Sequence, residues 1–575
     1  MLFMADLSQK NKGSVRDLLY QDSLFQHIWS YLTSLPPDVR NILLASSTGR
    51  KYLLEVYNNL MSYAASNRNI MKIANDFLLT AWETDPVDPE IGIKILRSED
   101  SEFNVSNHLK QLIKAVILYW DKPIFDVSDF ETLLADYPDL VKYISSFFPP
   151  LSLAWWKYLK IYAPFYGAFD WFEKLVRFIP WQYSLHIVQK RILLDIAIIK
   201  GDYSLAHQIL SSEILLSKAT KLAYLGKLAF LQGYQEKTIN MWLKSIVVRP
   251  WNINLILRTY DVLKGIREEK IYPAGKIVIC FYSYNKCNEL NKAIGALVES
   301  DIRDSKIIVL INGSTDGSFE MVCAWQERLG KDKMEVIFTP VNIGAPAARN
   351  WLMHHPIVKS SDWIVYLDDD AIVPKDWLYR FGTAISLYPD AGVYGCKIVD
   401  AVSPYVIQCV DNHLQKPPEF KHSSGSEFYC QIVGHYGELD MGDFDYIRPC
   451  AQVSGCCHIF NVKTLFECGD FDLRFSPSQH DDLDHNFRSI LMKKLPVYTG
   501  HLVVKHMNIT GKEQNKAQRG SERGNRVKLY FKHMGKPFRD MFHLEMKILW
   551  EDLIKKIKFI SDYLSQHNHL IERGN

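Results

Sequence analysis

The stretch "WIVYLDDDAIVP", residues 363–374, places three aspartates directly after an apolar run with the composition of a buried strand. Asp368, Asp369 and Asp370 are adjacent in the chain, and like charges on neighbouring residues repel each other. Either a positive charge nearby or full solvation must make this arrangement tolerable. A strand that ends in clustered carboxylates is therefore the first feature to explain.

The sequence around this stretch alternates between strand-like and helix-like segments from about residue 276. The apolar runs "KIVICFY", "KIIVLI", "MEVIF" and "WIVYLD" are separated by amphipathic stretches such as "ELNKAIGALVES" and "SFEMVCAWQERL". This alternation predicts an α/β domain with a mainly parallel, Rossmann-like sheet covered by helices on both faces. Open sheets of this type bind ligands in the crevice beyond the carboxyl ends of their strands.

Polar residues follow each of these four predicted strands. In chain order they are Ser283, Tyr284 and Asn285, then Asn312 with the turn "GSTDGS", then Asn342 and Gly344, and finally the aspartate triplet. Solvated loops would explain any one of these groups. Four strand ends that deliver polar groups to one sheet edge instead predict a binding crevice there.

The triplet has the chemistry of a site for a hard divalent cation. Oxygen ligands in a tight cluster suit Mg²⁺ or Mn²⁺, which retain waters and are often shared with substrate phosphates. A solvent-facing acidic turn is the alternative, because "DDD" alone is a common string. Its position at a strand end favours the metal, whose charge would offset the local repulsion.

The order of motifs over residues 276–510 resembles that of a family 2 glycosyltransferase of the GT-A fold. The family's "TYN"-like turn, "DNGSTDGS", "N-x-G-x-x-x-A-R-N" and acidic DXD-type motifs correspond to "SYN", "INGSTDGS", "NIGAPAARN" and "LDDD". Further on, "SGCCHIFNVKTLFECGDFDLRF" matches the family's "SGxxxxFxxxxFxxxGxFDxxF", and "DDLDHNFR" matches "EDxDLxxR". The matches cover about two-fifths of the chain.

This resemblance implies roles for particular residues. Asp368, Asp370 and His506 are expected to hold a divalent metal ion, Mn²⁺ or Mg²⁺. The residues expected to bind the donor are Ser283, Tyr284, Asn312, Asn342, Gly344, Arg349, Asp368 and Asp369. The donor would be a nucleoside-diphosphate sugar (UDP-, dTDP- or GDP-linked) that carries a hexosyl or deoxyhexosyl group.

Two positions depart from the family pattern. Ile311 replaces the first of two acids that help to hold the nucleotide base, and Asn312 takes the second place. The sequence therefore does not choose between uracil and another base. The family's Glu-Asp pair is Asp481-Asp482 here, with a side chain that is one methylene shorter at the first position.

Members of the family invert the anomeric centre, so a single displacement by an acceptor hydroxyl is expected. The acceptor needs a base, and Asp482 is our candidate, with Asp481 as its competitor. Both precede a predicted helix, whose dipole favours the ionised carboxylate. Asp484 is better explained as the partner of Arg488 one turn later.

The segment "NITGKEQNKAQRGSERGNRVK", residues 508–528, is polar, basic and Gly-containing. It predicts a mobile loop whose cations could close over the diphosphate; an ordinary solvated linker is the alternative. The candidate cations are Lys512, Lys516, Arg519, Arg523 and Arg526.

The amino-terminal half has a different composition. Residues 1–185 have helical periodicity, and residues 186–270 contain a weak repeat that resembles tetratricopeptide hairpins, with turns at Gly201-Asp202-Tyr203 and Gly233-Tyr234. A plain helical hairpin array is the alternative. The predicted order is thus an N-terminal helical region (1–185), tetratricopeptide-like hairpins (186–270), a GT-A domain (271–510), and a basic loop with C-terminal helices (511–575).

Composition excludes several classes of protein. A net charge of +2 gives no field that would attract nucleic acid, and no apolar run is long enough for a membrane span. The polar start "MLFMADLSQKNKGS" does not predict a secretion signal, so a cytoplasmic protein is expected. The aromatic segment "LAWWKYLKIYAPFYGAFDWFEKLVRFIPW" is either helical core or a surface for a membrane or a partner.

The acceptor is left open by the sequence: a glycan, a lipid-linked glycan or a protein, with the helical region as a candidate surface for a protein partner. Two rival functions remain. One is a metal-dependent nucleotidyltransferase, although "FYSYNKCNEL" offers no phosphate-cradling loop. The other is a helical-repeat scaffold with a degenerate transferase domain; Ile311 keeps this hypothesis open, whereas "DDD", the Asp481-Asp482 pair and His506 argue against it.

Overall fold

A computed structural model describes residues 23–64, 67–98, 105–179, 181, 183–212, 214–416, 432–507 and 516–567. The chain divides into two compact units. Unit 1 comprises residues 1–264, 439–443 and 553–575, and unit 2 comprises residues 265–438 and 444–552. The expected boundaries at residues 185 and 510 stay predictions.

Unit 1 is helical throughout its described part up to residue 264. Its α-helices are α1 (Ser23–Ser34), α2 (Pro37–Ala45), α3 (Arg50–Ala64), α4 (Arg68–Thr84), α5 (Pro89–Arg97), α6 (Asn107–Leu118), α7 (Glu131–Leu134), α8 (Pro138–Ser145), α9 (Leu153–Phe165), α10 (Phe169–Phe178), α11 (His186–Lys200), α12 (Tyr203–Ser211), α13 (Lys218–Leu231), α14 (Gln235–Val248) and α15 (Ile253–Lys264). Two 3₁₀ turns lie at Val127–Phe130 and Tyr183–Leu185. The helical region expected before the catalytic domain is confirmed.

The predicted hairpin turns lie between helices. Gly201 ends α11 with a φ of +75°, and the Asp202 side chain caps α12 by accepting a hydrogen bond from Leu205 N–H. Gly233 separates α13 from α14. Helical hairpins therefore occupy the repeat region, and their relation to tetratricopeptide repeats stays a prediction.

Unit 2 contains all the strands of the described chain. They are β1 (Ile277–Ser283), β2 (Lys306–Asn312), β3 (Met334–Thr339), β4 (Trp363–Asp368), β5 (Ala371–Ile372), β6 (Tyr394–Asp400), β7 (Ile407–Cys409), β8 (His413–Leu414), β9 (Ile432–Val433), β10 (Ile447–Pro449), β11 (Cys457–Asn461) and β12 (Val497–His506). The helices are α16 (Cys287–Glu299), α17 (Ser318–Leu329), α18 (Ala345–Met353), α19 (Pro356–Lys359), α20 (Trp377–Leu387), α21 (Val462–Cys468), α22 (Asp481–Leu491), α23 (Lys516–His533) and α24 (Lys536–Gln566), with a 3₁₀ turn at Leu473–Phe475. Helix α24 contributes to unit 2 as far as Asp552.

The main sheet has the order β10-β12-β6-β11-β4-β1-β2-β3, with β5 beside β12 and β7 beside β6. Strands β3, β2, β1 and β4 are parallel, β11 is antiparallel to both β4 and β6, and β12 is parallel to β6. The sheet is therefore mixed, with six long strands running one way. This architecture confirms the expected α/β fold preceded by an all-helical region.

The register aligns the carboxyl ends of the parallel strands. Ser283 lies opposite Ile311, and Tyr282 lies opposite Asp368. Because β1, β2 and β4 end at the same level, the polar residues that follow them meet at one edge. That edge is where open α/β sheets bind ligands.

The basic segment differs from the prediction. Residues 516–533 form helix α23 rather than a loop, while Lys512 lies outside the described residues. Glycines at 520 and 524 lower helix propensity by about 1 kcal/mol each, but the ion pair of Arg526 with Glu522 one turn earlier and the burial of Leu529 favour the helix. Among the described residues, no helix is long and apolar enough to cross a membrane.

Candidate active site

The end of β4 is tied to the end of β1 through side chains. Tyr282 donates its hydroxyl to Asp368 Oδ1 at 3.3 Å, and Ser283 donates its own to Asp369 Oδ2 at 2.7 Å. Ser283 and Asp369 are buried, whereas Tyr284 is exposed. Ser283 therefore orients Asp369 from beneath, and Tyr284 lies open to an incoming molecule.

Lys286 and His506 lie against the three aspartates and offset part of the repulsion between their carboxylates. Lys286 Nζ lies 3.0 Å from Asp369 Oδ1 and 2.9 Å from Asp370 Oδ2. His506 Nε2 lies 2.8 Å from Asp370 Oδ1 and 3.9 Å from Asp368 Oδ2. In these contacts, three carboxylates face one ammonium and one imidazole.

Protonation equilibria in the cluster follow from burial and from these neighbours. Burial, followed by the charge of Asp370, raises the pKa of Asp368 to about 6. Burial opposes ionisation of Asp370 too, but His506 and Lys286 hold the pKa of that carboxyl well below its usual range. For His506, burial is outweighed by the hydrogen bond and charge of Asp370, which raise its pKa.

His506 is held in place by its second ring nitrogen. Nδ1 lies 2.7 Å from Gln408 Oε1, so an Nδ1–H donor leaves Nε2 directed at the carboxylates. The strand pairing also fixes the ring, because His506 on β12 lies opposite Ala371 on β5. In addition, Met507 donates its N–H to the Asp370 carbonyl at 3.0 Å.

The side chains around Asp368 fit a divalent cation. One ligand atom each from Asp368, Cys456 and His506 lie within 4.8 Å of one another. Burial, together with Asp368 and Asp370, raises the pKa of the Cys456 thiol well above its usual value. The carboxylate and imidazole donors of this group suit Mn²⁺ or Mg²⁺.

The two asparagines expected to bind the donor contact each other. Asn312 Nδ2 donates to Asn342 Oδ1 at 3.0 Å, and Asn312 Oδ1 accepts from Ile343 N–H at 2.9 Å. Asn342 Oδ1 also accepts from Gly344 N–H at 2.9 Å. With a φ of +84°, Gly344 caps α18, and this conformation favours glycine. Both asparagine side chains therefore hold the β3–α18 loop against β2.

The turn "GSTDGS" is fastened to the turn after β1. Asn285 N–H donates to Ser314 Oγ at 3.0 Å, and Asn285 Oδ1 accepts from Thr315 N–H at 2.8 Å. Asp316 accepts from Cys287 N–H at 2.8 Å, at the start of α16. The two motifs thus form one rigid wall beside the strand ends.

The two aspartates at the start of α22 make different contacts. Asp481 is buried and forms an ion pair with Arg349, whose guanidinium also lies 5.2 Å from the Tyr282 ring centroid. Asp482 is half-buried, and its Oδ2 accepts from Gly455 N–H at 3.0 Å. A Cβ on Gly455 would lie 2.8 Å from that oxygen, so this close approach requires glycine.

The loop before α22 is anchored on two sides. Ala345 N–H at the start of α18 donates to the Pro477 carbonyl at 2.7 Å. Asn525 Nδ2 on α23 donates to the carbonyls of Phe475 and Ser478 at 2.7 and 2.8 Å. Helix α23 therefore has a positioning role for the acidic pair. Asp484 is ion-paired with Arg488, as the spacing predicts, and also with Lys532 and His533.

Four contributors were missed by sequence reasoning: Tyr282, Lys286, Gln408 and Cys456. Lys286 directly follows "SYN", so the rule that residues after a strand reach the crevice could have found it. Gln408 and Cys456 carry no such signal, because Gln408 lies on β7, which pairs antiparallel with β6, and Cys456 precedes β11, which is antiparallel to β4.

Comparisons with known proteins agree with this arrangement. Residues 277–432 match the family model described as glycosyl transferase family 2. An uncharacterized glycosyltransferase of Haemophilus influenzae is 32% identical over 98 residues, which is 17% of this chain, and the match spans 37% of that relative's length. Unit 2 therefore contains a segment that is similar to family 2 glycosyltransferases, and that segment includes the aspartate triplet.

Similar solved structures include two metal complexes. The mannosyltransferase PcManGT from Pyrobaculum calidifontis, with GDP-Man and Mn²⁺, is 15% identical with a TM-score of 0.33, over 53% of this chain and 85% of that one. GalNAc-T7 with UDP, GalNAc and Mn²⁺ is 12% identical with a TM-score of 0.36, over 51% of this chain and 55% of that one.

Proposed function

We propose that the protein is a metal-dependent, inverting glycosyltransferase. It would move a hexosyl or deoxyhexosyl group from a nucleoside-diphosphate sugar to the hydroxyl of a glycan or protein acceptor. The observation that carries this proposal is the cluster at the β4 end, where Asp368, Asp370 and His506 converge with a surplus of negative charge. Its position within the matched family 2 segment and the adjoining β12 supports the same reaction.

Asp368, Asp370 and His506 would hold the metal ion, Mn²⁺ or Mg²⁺. When bound there, such a cation supplies Lewis-acid stabilisation of the departing diphosphate. Lys286 would have to leave Asp370 when the ion enters, because that carboxylate is shared between the lysine and the proposed metal ligands. The freed ammonium would then be available to the phosphate oxygens.

The donor would lie along the wall formed by the turns after β1, β2 and β3. Tyr284 is exposed at this wall, and the rigid asparagine pair Asn312–Asn342 shapes its floor. Arg349 is held by Asp481, so its role is to fix the acidic pair rather than to move with the donor.

Asp482 would act as the base. In the reaction, the acceptor oxygen forms a bond to the anomeric carbon, the bond from that carbon to the diphosphate breaks, and Asp482 takes the acceptor's proton. Asp482 is half-buried and free of an arginine partner in its described contacts, whereas Asp481 is committed to Arg349. This division supports Asp482 over its neighbour.

One observation favours a second function. Lys286 already neutralises part of the carboxylate cluster, as a lysine would in a degenerate domain that binds no metal. The chain would then be a helical scaffold with an inactive transferase domain. Metal binding separates the two functions.

The test is Mn²⁺-dependent hydrolysis of UDP-, dTDP- and GDP-sugars, together with direct measurement of Mn²⁺ binding by calorimetry. We expect Asp370→Asn to reduce turnover on the order of 10²–10³-fold and to abolish Mn²⁺ binding. The exposed Asp390→Asn serves as a matched control and should behave as the parent protein. Absence of Mn²⁺ binding by the parent protein would overturn the proposal and support the scaffold.

A further inference from the structure

Unit 1 contains a cavity of about 110 Å³ between α2–α4 and α13–α15. Its wall is rich in hydroxyl, amide and cationic side chains, and Thr48, Thr84 and Asn252 lie half-buried at its margin. A polar cavity of this size holds more than one water molecule. All of its lining residues belong to unit 1, whereas the residues assigned to transfer belong to unit 2.

Two buried cations in this cavity share one carboxylate. Lys227 Nζ lies 3.0 Å from Asp443 Oδ1, and an Arg258 terminal nitrogen lies 3.3 Å from the same oxygen. Lys227 is 6% exposed and Arg258 4%, whereas the Asp443 side chain is 34% exposed. Burial, with the repulsion of Arg258, lowers the pKa of Lys227 despite the presence of Asp443.

Lys227 and Arg258 carry two positive charges against the single negative charge of Asp443, and the other charged residues nearby are already paired with one another. Arg249, which also lines the cavity, is held by Asp76 at 2.9 Å and by Glu83 at 3.3 Å. Asp195 is held by both Arg191 and Lys160. Lys227 and Arg258 therefore face the cavity with one negative charge between them.

Burying a cation is costly unless it is paired and hydrogen-bonded. Arg258 is further stabilised by the Trp242 ring, 4.5 Å from its guanidinium carbon, which holds it in place without adding negative charge. A pre-positioned lysine and arginine that share a half-exposed carboxylate are arranged to accept a second anion.

We propose that this cavity is a binding site for a phosphate group, held by Lys227 and Arg258 with Asp443 turned toward solvent. A tetrahedral oxyanion carries the charge that the pair lacks and has enough oxygens to accept from the surrounding hydroxyls as well. The inference is independent of sugar transfer, because none of these residues belongs to unit 2.

The experiment measures inorganic phosphate binding to the full chain by calorimetry and by the shift in thermal midpoint, since a ligand of the native state raises that midpoint. We expect Lys227→Met to weaken binding at least about tenfold and Asp443→Asn, which removes the competing carboxylate, to strengthen it by a similar factor. Lys218→Met, an exposed lysine on the same helix, is the matched control and should bind phosphate as the parent does.

Opposite effects of the two variants locate phosphate in the cavity, since binding elsewhere would respond to neither. If Lys227→Met fails to fold, the sign of the Asp443→Asn effect decides alone. Unchanged or weaker binding by Asp443→Asn overturns the proposal, as does the absence of phosphate binding by the parent. An equal midpoint shift with acetate overturns the choice of a tetrahedral anion.

Discussion

The carboxylate cluster of unit 2 and the cationic cavity of unit 1 are opposite solutions to buried charge. In the cluster, three aspartates face Lys286 and His506; in the cavity, Lys227 and Arg258 face the single carboxylate of Asp443. In the contacts of the described residues, each site has fewer charges of the opposite sign than charges to be paired. Since a buried charge without a partner is costly, the sign of the surplus indicates which ligand each site is built for.

The difference also separates structural from functional ion pairs. Arg249 forms ion pairs with Asp76 and Glu83, and Arg349 forms one with Asp481, so these guanidinium charges are balanced by carboxylates of the protein. Such pairs hold helices and loops in place. In the carboxylate cluster, Lys286 occupies the place proposed for a metal ion. In the cationic cavity, Asp443 occupies the place proposed for a phosphate.

The largest effect is expected at the acidic pair. Asp482→Asn should lower turnover about 10²–10⁴-fold without loss of donor affinity, because it removes the base alone. Asp481→Asn leaves Arg349 buried without its ion pair and should chiefly lower the thermal midpoint. Single-turnover rates and melting curves distinguish the two; near-normal turnover of Asp482→Asn would remove it as the base.

A smaller effect, on stability rather than on turnover, is expected at Arg249, whose charge is already paired with carboxylates. Glu83 is buried and accepts hydrogen bonds from Ser217, Thr220 and Arg249. Glu83→Gln should cost about 2 kcal/mol of unfolding free energy. The exposed Glu90→Gln is the control, expected within about 0.5 kcal/mol of the parent. Equal denaturation curves for both variants would contradict a structural role.

The pH response should depend on whether a buried histidine faces carboxylates or guanidinium. Burial, with Arg488, lowers the pKa of His485 to about 3. Between pH 6.5 and 3 the unfolded chain binds a proton that the folded chain does not, so stability falls as the pH falls. By pH 5 this amounts to about 2 kcal/mol.

His485→Gln should therefore lose less stability than the parent between pH 7.5 and pH 5, measured by urea unfolding. The exposed His543→Gln is the control and is measured in the same way. Identical slopes for all three proteins would show that His485 takes up its proton in the folded state.

The smallest expected effect is a change in Mn²⁺ affinity when Lys286 is replaced. Lys286→Met should bind Mn²⁺ about tenfold more tightly, because the competing ammonium is gone, as followed by calorimetry. The exposed Lys292→Met on the same helix should not change the affinity. Weaker Mn²⁺ binding by Lys286→Met would mean that the lysine orients the carboxylates for the ion rather than competing with it.

Much of the candidate site could be predicted along the chain. Asn312, Asn342 and Asp368 each follow a strand, and parallel strands deliver their ends to one edge, so their convergence follows from local pattern and topology. Gln408 and Cys456 could not be found that way, because neither follows one of the predicted parallel strands: Gln408 lies on β7, which pairs antiparallel with β6, and Cys456 precedes β11, which is antiparallel to β4. The prediction of a loop over residues 516–533 was wrong. Burial of Leu529 and the contacts of Asn525 stabilise a helix there and outweigh the low helix propensity of two glycines.

The sequence alone determined that an α/β domain follows a helical region and that carboxylates crowd the end of a strand, since periodicity and strand-end chemistry are local properties. Only the tertiary structure decided which cations stand against those carboxylates, which of two adjacent aspartates is closed by an arginine, and where two buried cations share one partner. Charge balance is a sum over residues close in space. Lys286 and Asp370 are 84 positions apart, and Lys227 and Asp443 are 216, so no local pattern contains that sum.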